Sequence, residues 1–264
     1  MPEVQTINSL NFSNNLRGFA DTKGIMKILR LLAATTLGLA FLTLSRAPAA
    51  DTTHQAIRMV IVGDSTVCNW PEQDSRRGWG MFIQGYFNND LSVTNFAKSG
   101  RSTKTFITEG LWAGALKEQP GYVLIQFGHN DSHSPDKPES TDAKTTFKDY
   151  LRQYIDDSRA IGARPVLVTP MCRRTFGGDD RLKDALLPYA NAMKEVAVEK
   201  RVPLVDLHAA SARLFEQLGP TGSKALANEP GDATHFNEKG ARAMAGLVMQ
   251  ELPAVEPSLK KYLK

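Results

Sequence analysis

Five short runs rich in Val, Ile and Leu recur along the chain, and longer segments with a helical spacing of apolar residues separate them. Runs this short and apolar are typical of strands buried on both faces of a parallel sheet, where the connecting helices cover those faces. The pattern therefore predicts one α/β domain with a five-stranded parallel sheet between two layers of helices. The predicted strands are 59–62, 93–96, 122–127, 165–169 and 202–207, and the predicted helices are 142–161, 181–200 and 238–252.

The first 50 residues differ from this pattern. A short basic run at 26–30 precedes the apolar segment 31–44, and small residues follow it. This order is typical of a secretory signal peptide, so 26–50 is predicted to be a leader that is cleaved after Ala49 or Ala50. The mature, exported domain is then 51–264. A retained membrane anchor is the alternative, although segment 31–44 is short for a membrane span. Residues 1–25 are expected to be an unstructured extension or, if translation starts at Met26, no part of the protein.

Removal of the leader changes the charge of the protein. The whole chain has a formal net charge of +4, but its first 49 residues carry five basic and two acidic side chains, which leaves a mature charge of about +1. The mature sequence contains no long basic run with interleaved aromatic residues. We therefore expect no nucleic-acid partner, and no stable membrane association after cleavage. The sequence does not indicate an oligomeric state.

Polar residues follow the predicted strands in four separate blocks. These are Gly-Asp-Ser-Thr at 63–66, Asn-Phe-Ala-Lys-Ser-Gly at 95–100, Gly-His-Asn-Asp at 128–131 and Asp-Ala-Thr-His at 232–235. Each block alone is typical of an ordinary turn. The carboxyl ends of parallel strands meet at one edge of a sheet, where open α/β sheets bind ligands. The order of the blocks therefore predicts one shared site.

The residue types in these blocks suit acyl transfer. A serine hydroxyl is a weak nucleophile until a base removes its proton, and a neutral imidazole is the side chain suited to that step near neutral pH. His235 is the candidate base for Ser65. Asp232 lies three residues earlier and is the candidate group that orients the imidazole. The sequence predicts Ser65, His235 and Asp232 as a catalytic triad.

The four blocks resemble the SGNH, or GDSL-type, hydrolases, whose name residues match Ser65, Gly100, Asn130 and His235. The resemblance spans 59–250 and implies a flavodoxin-like three-layer sandwich. It also implies an oxyanion hole formed by the backbone N–H groups of Ser65 and Gly100 and by the Asn130 amide. The nucleophile elbow of the α/β-hydrolases is excluded, because Val67 occupies the position at which that motif requires glycine.

Within that family the motifs are most similar to those of the rhamnogalacturonan acetylesterases, which implies an acetylated pectic polysaccharide as the partner and substrate. Arg101, Arg173 and Arg174 follow predicted strands, where guanidinium groups could pair with uronate carboxylates. Trp79 could stack against a sugar ring. The alternatives are solvated surface charge for the arginines and a core position for Trp79.

Two other functions fit parts of the same pattern. A different acyl hydrolase, such as a xylan acetylesterase, a lysophospholipase or a thioesterase, would share the triad. A lipid-active enzyme should have more apolar residues in the polar loop 128–141. A non-catalytic carbohydrate-binding protein should lack at least one triad or oxyanion residue, and none is missing here.

The remaining histidines do not predict a metal site. His129, Asp131 and His133 lie at two-residue steps on one loop, which lacks the fixed geometry of metal ligands. His129 is instead expected to pack or hydrogen-bond beside the oxyanion hole, with substrate contact as a further role. His208 is expected on a surface turn. We therefore expect neither a metal nor another cofactor in this protein.

Two cysteines, Cys68 and Cys172, follow the first and fourth predicted strands. An exported protein can form a disulfide between them. Two free thiols are the equally weighted alternative, because the sequence does not give their separation.

Overall fold

The computed structural model describes residues 56–264. The predicted extension, leader and cleavage site lie outside the described residues. No helix within 56–264 has both the length and the apolar character needed to cross a bilayer.

The centre of the domain is a five-stranded sheet in which every pairing is parallel, in the order β2-β1-β3-β4-β5. This confirms the predicted sheet. β2 lies on one side of β1 and β3 lies on the other, so the strand order reverses between β1 and β3. Open α/β sheets bind ligands at such a point, and the crevice therefore lies at the carboxyl ends of β1 and β3. The strands are β1 (Ile57–Gly63), β2 (Leu91–Asn95), β3 (Tyr122–Gln126), β4 (Arg164–Val168) and β5 (Leu204–Val205).

Helices cover both faces of the sheet. Successive residues of β1 alternate between two cores, as the period of a strand requires. Ile61 packs in the core that contains Phe215 and Met244, and Val62 packs in the core that contains Leu151. This confirms the three-layer α/β/α sandwich. The helices are α1 (Thr103–Thr108), α2 (Leu111–Lys117), α3 (Thr146–Ala160), α4 (Leu187–Lys200), α5 (Leu207–Lys224) and α6 (Glu238–Val255), with 3₁₀ helices at Trp79–Tyr86 and Pro257–Tyr262.

The main departure from the predicted elements is at β5 and α5. The run 202–207 is a strand only at Leu204–Val205, because the Asp206 side chain accepts a hydrogen bond from the Ala209 N–H and starts α5. His208 therefore lies in the first turn of a helix and is 3% exposed, so its expected position on a surface turn is wrong. Helix α5 is interrupted at Gly219, which has a φ of 63° and precedes a proline.

Candidate active site

Ser65 lies on a tight turn directly after β1. The Val67 N–H donates to the Asp64 carbonyl oxygen at 3.1 Å, so the chain turns as soon as it leaves the sheet. Gly63 is required at the start of this turn, because a Cβ there would lie 2.7 Å from the Gln126 carbonyl oxygen on the neighbouring strand. The glycine thus allows the serine turn to sit close against the sheet.

Ser65, His235 and Asp232 form a continuous hydrogen-bonded chain. His235 Nε2 lies 3.0 Å from Ser65 Oγ, and His235 Nδ1 lies 2.9 Å from Asp232 Oδ2. With an ionised Asp232 accepting from Nδ1–H, the imidazole presents an unprotonated Nε2 to the serine hydroxyl. This arrangement can accept the serine proton during attack on an ester.

Asp232 is held by the backbone of its own loop. Its Oδ1 accepts hydrogen bonds of 2.8 Å from the N–H groups of Thr234 and His235. Burial acts to raise the pKa of Asp232, but these two N–H groups and the His235 side chain outweigh it, so the pKa lies below its ordinary value. The carboxylate is therefore ionised at neutral pH. Helix α6 begins just beyond this loop, with Asn237 as its N-cap, as predicted from the sequence.

Gly100 and Asn130 are linked through Arg101. The Asn130 side chain donates from Nδ2 to the Arg101 carbonyl oxygen at 2.9 Å, which fixes the amide beside the turn that contains Gly100. Gly100 has a φ of 78°, in the region that favours glycine, and the space beside its Cα is open. Among the described residues, neither the Gly100 N–H nor the Ser65 N–H has a backbone acceptor. Both N–H groups, and the second hydrogen of the Asn130 amide, are available to a developing oxyanion.

A buried network supports the serine turn from below. Asp64 Oδ1 accepts from the Thr66 N–H at 2.9 Å and from Thr66 Oγ1 at 2.7 Å, and Asp64 Oδ2 lies 3.2 Å from His129 Nδ1. Burial acts to raise the pKa of Asp64, but His129 and Thr66 outweigh it and lower that pKa. Burial lowers the pKa of His129 against the opposing effect of Asp64. An ionised Asp64 therefore accepts a hydrogen bond from a neutral His129. Because His129 is only 2% exposed, it supports the turn rather than contacting substrate.

Trp79 belongs to the same network. It is fully buried, and its Nε1–H donates to Gln126 Oε1 at 2.8 Å. Gln126 in turn donates from Nε2 to Thr66 Oγ1 at 3.2 Å. The expectation that Trp79 stacks against a sugar ring is therefore wrong, because its indole is a core group that holds the serine turn against β3.

Asp131 fastens the Asn130 loop to α1. Its Oδ1 accepts from the hydroxyls of Thr103 and Thr141, at 2.5 and 2.8 Å, and the Thr103 N–H lies 3.2 Å from both carboxylate oxygens. Burial raises the pKa of Asp131 to about 7 against the effect of these hydrogen bonds. Sequence reasoning considered Asp131 only as a metal ligand. Its place in the block next to Asn130 was the signal for this structural role.

Arg173 and Arg174 bind the loop that carries Asp232 and His235. The Arg174 N–H donates to the Ala233 carbonyl at 2.9 Å, and Arg174 Nη2 donates to the carbonyls of Asp232 and His235 at 2.9 and 2.7 Å. The Arg173 guanidinium contacts the Thr234 hydroxyl and the His129 carbonyl oxygen.

Arg174 is only 8% exposed as a residue, and its guanidinium carbon lies 4.3 Å from the centre of the Phe236 ring. Burial lowers its pKa to about 10, so it stays charged at neutral pH. The expected contact between Arg174 and substrate is therefore wrong, because the side chain lies beneath the loop. Arg173 is also turned to the loop and to His129, but it is only partly buried.

An open cleft of about 830 Å³ reaches His235 and is bordered by polar residues that include Asp74, Arg76 and Glu229. Trp70 lies next to two members of the candidate triad: its Nε1–H donates to the Ser65 carbonyl at 3.0 Å, and its ring stands edge-on to His235 at 6.2 Å between centroids. Sequence reasoning missed both Trp70 and Arg76. Their closeness to Ser65 along the chain was the only signal for them.

Arg76 and Arg101 are two arginines with partly exposed side chains near the candidate site. The Arg76 guanidinium lies 3.7 Å over the Trp70 ring and makes two hydrogen bonds to Asp74. The Arg101 side chain is 33% exposed and pairs with Glu109 at 2.8 Å. Substrate contact by Arg101 stays a prediction, and two of its guanidinium nitrogens already contact the Glu109 carboxylate.

Cys68 and Cys172 are free thiols, and both are buried. The structure therefore has the second of the two alternatives and no disulfide between them. Burial raises the pKa of each thiol to about 12, so both stay protonated at neutral pH and neither is suited to act as a nucleophile.

Known proteins show extensive similarity to this chain. The model of the GDSL-like lipase/acylhydrolase family matches residues 61–243. The rhamnogalacturonan acetylesterase RhgT of Bacillus subtilis is 38% identical over 222 residues, which cover 78% of this chain and 94% of RhgT. The probable rhamnogalacturonan acetylesterase YesY of Bacillus subtilis is 36% identical over 217 residues, which cover 78% of this chain and 99% of YesY.

The fold is also found in a solved structure. The crystal structure of the Bacillus subtilis protein YxiM matches with a TM-score of 0.67 at 30% identity, covering 76% of this chain and 57% of YxiM. The family match includes all four polar blocks.

Proposed function

Because this chain belongs to the GDSL-like lipase/acylhydrolase family, we propose that it removes acetyl groups from rhamnogalacturonan through an acyl-enzyme on Ser65. The family and the acetylesterase relatives make the chain a carboxylic ester hydrolase, and those relatives support an acetylated carbohydrate as its substrate. The observation that carries the mechanism is the 3.0 Å approach of His235 Nε2 to Ser65 Oγ.

Acylation begins when Ser65 Oγ attacks the acetyl carbonyl carbon as its proton passes to His235 Nε2. The carbonyl oxygen becomes an oxyanion that the N–H groups of Ser65 and Gly100 and the Asn130 amide can stabilise. His235 then gives the proton to the sugar oxygen as the ester bond breaks. The products of this half-reaction are a free sugar hydroxyl and acetyl-Ser65.

Deacylation repeats these steps with water. His235 takes a proton from water as the water oxygen attacks acetyl-Ser65, and the same donors hold the second oxyanion. Collapse of this intermediate releases acetate and returns the proton to Ser65 Oγ. Asp232 stabilises the imidazolium that forms in both half-reactions and keeps its own charge throughout.

The cleft favours a hydrated polymer over a lipid. It is open, and the residues that border it beside His235 include Asp74, Ser75, Arg76, Asn228 and Glu229. Hydroxyl-rich sugars can exchange hydrogen bonds with such groups, whereas a long acyl chain needs an apolar pocket. This supports a carbohydrate esterase over the lysophospholipase and thioesterase alternatives.

Export is part of the same proposal. A polymeric pectic substrate lies outside the cell, and the basic and apolar segments of 26–50 have the order of a secretory leader. Mass spectrometry of the mature protein should find an N-terminus at residue 50 or 51. A mature protein that starts upstream of residue 40 would contradict cleavage at this site.

The function is tested by measuring acetate release from acetylated rhamnogalacturonan, acetylated xylan and p-nitrophenyl esters of increasing chain length. We expect the highest kcat/KM on rhamnogalacturonan and a steep loss beyond the acetyl group. Ser65→Ala should lower the rate on the order of a thousandfold or more. Ser92→Ala, on the edge strand β2, is the matched control and should retain activity.

Three results would contradict different parts of the proposal. Faster release from xylan would overturn the substrate and leave the esterase in place. An active Ser65→Ala variant would overturn the mechanism. Polysaccharide binding without acetate release from any ester would identify a non-catalytic binding protein.

A further inference from the structure

A second cluster of reactive side chains lies next to the arginines that bind the catalytic loop. Cys172 Sγ, a carboxylate oxygen of Asp184 and a ring nitrogen of His208 lie within 4.8 Å of one another. They come from three separate segments, namely the chain after β4, the loop before α4 and the first turn of α5. We propose that these three side chains bind one Zn²⁺ ion, with water as the fourth ligand.

The backbone holds two of the three ligands in a fixed relation. The Cys172 N–H donates to Ser211 Oγ at 2.9 Å, and the same hydroxyl donates to the His208 carbonyl oxygen at 3.0 Å. The His208 N–H donates to Thr169 Oγ1 at 2.8 Å. One buried serine therefore joins the cysteine to the histidine, so little ordering is needed when an ion arrives.

The third ligand connects the cluster to solvent. The side chains of Cys172 and His208 are almost fully buried, whereas the Asp184 side chain is 31% exposed. Asp184 Oδ1 lies 2.9 Å from His208 Nε2, and no Lys or Arg of residues 56–264 forms an ion pair with this carboxylate. An ion can therefore enter past Asp184 without displacing a basic side chain.

The donor set favours Zn²⁺ over Ca²⁺ or Mg²⁺. A thiolate, an imidazole nitrogen and a carboxylate oxygen are ligands that Zn²⁺ accepts together, whereas Ca²⁺ and Mg²⁺ prefer oxygen alone. Binding forms one bond from the metal to each donor atom, replaces the hydrogen bond between His208 and Asp184, and releases the thiol proton to solvent. The charges of the thiolate and the carboxylate then balance those of the ion, which suits a largely buried site.

The position of the site suggests what the ion would stabilise. Cys172 immediately precedes Arg173 and Arg174, whose side chains hold the loop that carries Asp232 and His235. Fixing Cys172 would restrict both arginines. Because an ion that binds only the folded chain stabilises that chain, Zn²⁺ should raise the Tm of the protein.

The test uses Co²⁺ as a spectroscopic probe on the purified full chain after treatment with a chelator. We expect one Co²⁺ per chain, a thiolate-to-cobalt charge-transfer band, and visible bands of tetrahedral intensity that Zn²⁺ removes by competition. Cys172→Ser should abolish the charge-transfer band. Asp184→Asn changes a partly exposed residue and should weaken binding at least tenfold while the chain stays folded.

Cys68→Ser is the matched control, because Cys68 is the other buried free thiol and is not part of this cluster. It should bind Co²⁺ as the unaltered protein does. Absence of binding to the unaltered chain would overturn the proposal, as would a charge-transfer band that survives in Cys172→Ser. Unchanged affinity in a folded Asp184→Asn variant would also overturn it. Circular dichroism in the presence of chelator establishes that each variant is folded, and none of these readouts depends on esterase activity.

Discussion

Arg174 Nη2 donates a hydrogen bond of 2.7 Å to the backbone carbonyl oxygen of His235. The same nitrogen donates to the Asp232 carbonyl at 2.9 Å, so one buried guanidinium holds the loop at both of its candidate catalytic residues. The Arg174 side chain hydrogen-bonds to the backbone of this loop and not to the reacting side-chain atoms, so we assign it as a positioning residue.

This relationship predicts the kinetics of Arg174→Met, which keeps the length of the side chain and removes its donors. We expect kcat to fall by about ten- to a hundredfold on acetylated rhamnogalacturonan and on p-nitrophenyl acetate alike, because a displaced imidazole slows both reactions. KM should change little, and the fall in kcat should be smaller for Arg174→Lys than for Arg174→Met. Steady-state kinetics on the two substrates measures this split.

Arg242→Met is the matched control for that variant. Arg242 also lies over an aromatic ring, at 4.2 Å from Phe82, but it is on the exposed face of α6. The Arg242→Met variant should leave kcat unchanged. If Arg174→Met instead raised KM for the polysaccharide and not for p-nitrophenyl acetate, this arginine would be shown to bind substrate.

Asn130 provides the second prediction. If its amide donates to the oxyanion, Asn130→Ala should lower kcat by about a hundred- to a thousandfold with a small change in KM. The same substitution at Asn89, an exposed residue of the loop before β2, should have no effect. An Asn130→Ala variant that keeps more than about a tenth of the activity would not fit an oxyanion role.

Arg101 and Glu109 offer a test of substrate charge in opposite directions. Arg101→Met should raise KM for acetylated rhamnogalacturonan, because one cation beside Gly100 is lost. Glu109→Gln should lower that KM, because the guanidinium loses its competing carboxylate partner. Neither change should affect KM for the neutral p-nitrophenyl acetate. Equal shifts on both substrates would exclude recognition of the uronate charge by Arg101.

The raised pKa of Asp131 predicts a pH dependence of stability. The carboxyl of the unfolded chain ionises at about pH 4, whereas the buried carboxyl keeps its proton up to about pH 7. The folded state therefore binds more protons between these values. The stabilising contribution of this shift is fully present below about pH 4 and is lost as the pH rises towards about 7.

Asp131→Asn removes this titration. The measurement is urea unfolding of both proteins across the same pH range. As the pH rises, the free energy of unfolding of the unaltered protein should fall relative to that of the variant, by a few kcal/mol in total. Above about pH 7 the difference should stay constant. Parallel pH curves for the two proteins would mean that Asp131 is ionised in the folded state throughout.

The sheet was predictable because its strands are buried on both faces and their apolar runs stand out from the rest of the sequence. Helices α3, α4 and α6 were predictable because their apolar residues recur at helical spacing, but α3 begins at Thr146 and α4 at Leu187, later than the predicted starts at 142 and 181. Helix α5 was missed because the apolar run that includes Leu204 and Val205 continues into its first turn at Leu207. Only the Asp206 cap separates the strand from the helix.

The members of the candidate triad were predictable because they lie in compact polar blocks that follow strands or precede a helix. The roles of Trp79 and Arg174 were not, since the sequence does not distinguish an exposed aromatic or basic side chain from one whose polar atoms find buried partners. The Trp79 indole donates to Gln126, and Arg174 Nη2 donates to two backbone carbonyl oxygens. Both contacts join residues far apart in the chain, which a local pattern cannot show.

The most direct test of the proposed mechanism is to locate the serine that reacts with a fluorophosphonate ester. Such a reagent transfers its phosphonyl group to an activated serine and releases fluoride, and peptide mass spectrometry identifies the modified residue. We predict one phosphonyl group per chain, on Ser65, with acetylesterase activity falling in proportion to the modification. An enzyme that remains fully active with Ser65 completely modified, or whose activity is lost through modification of another residue, would contradict the assignment of Ser65 as the nucleophile.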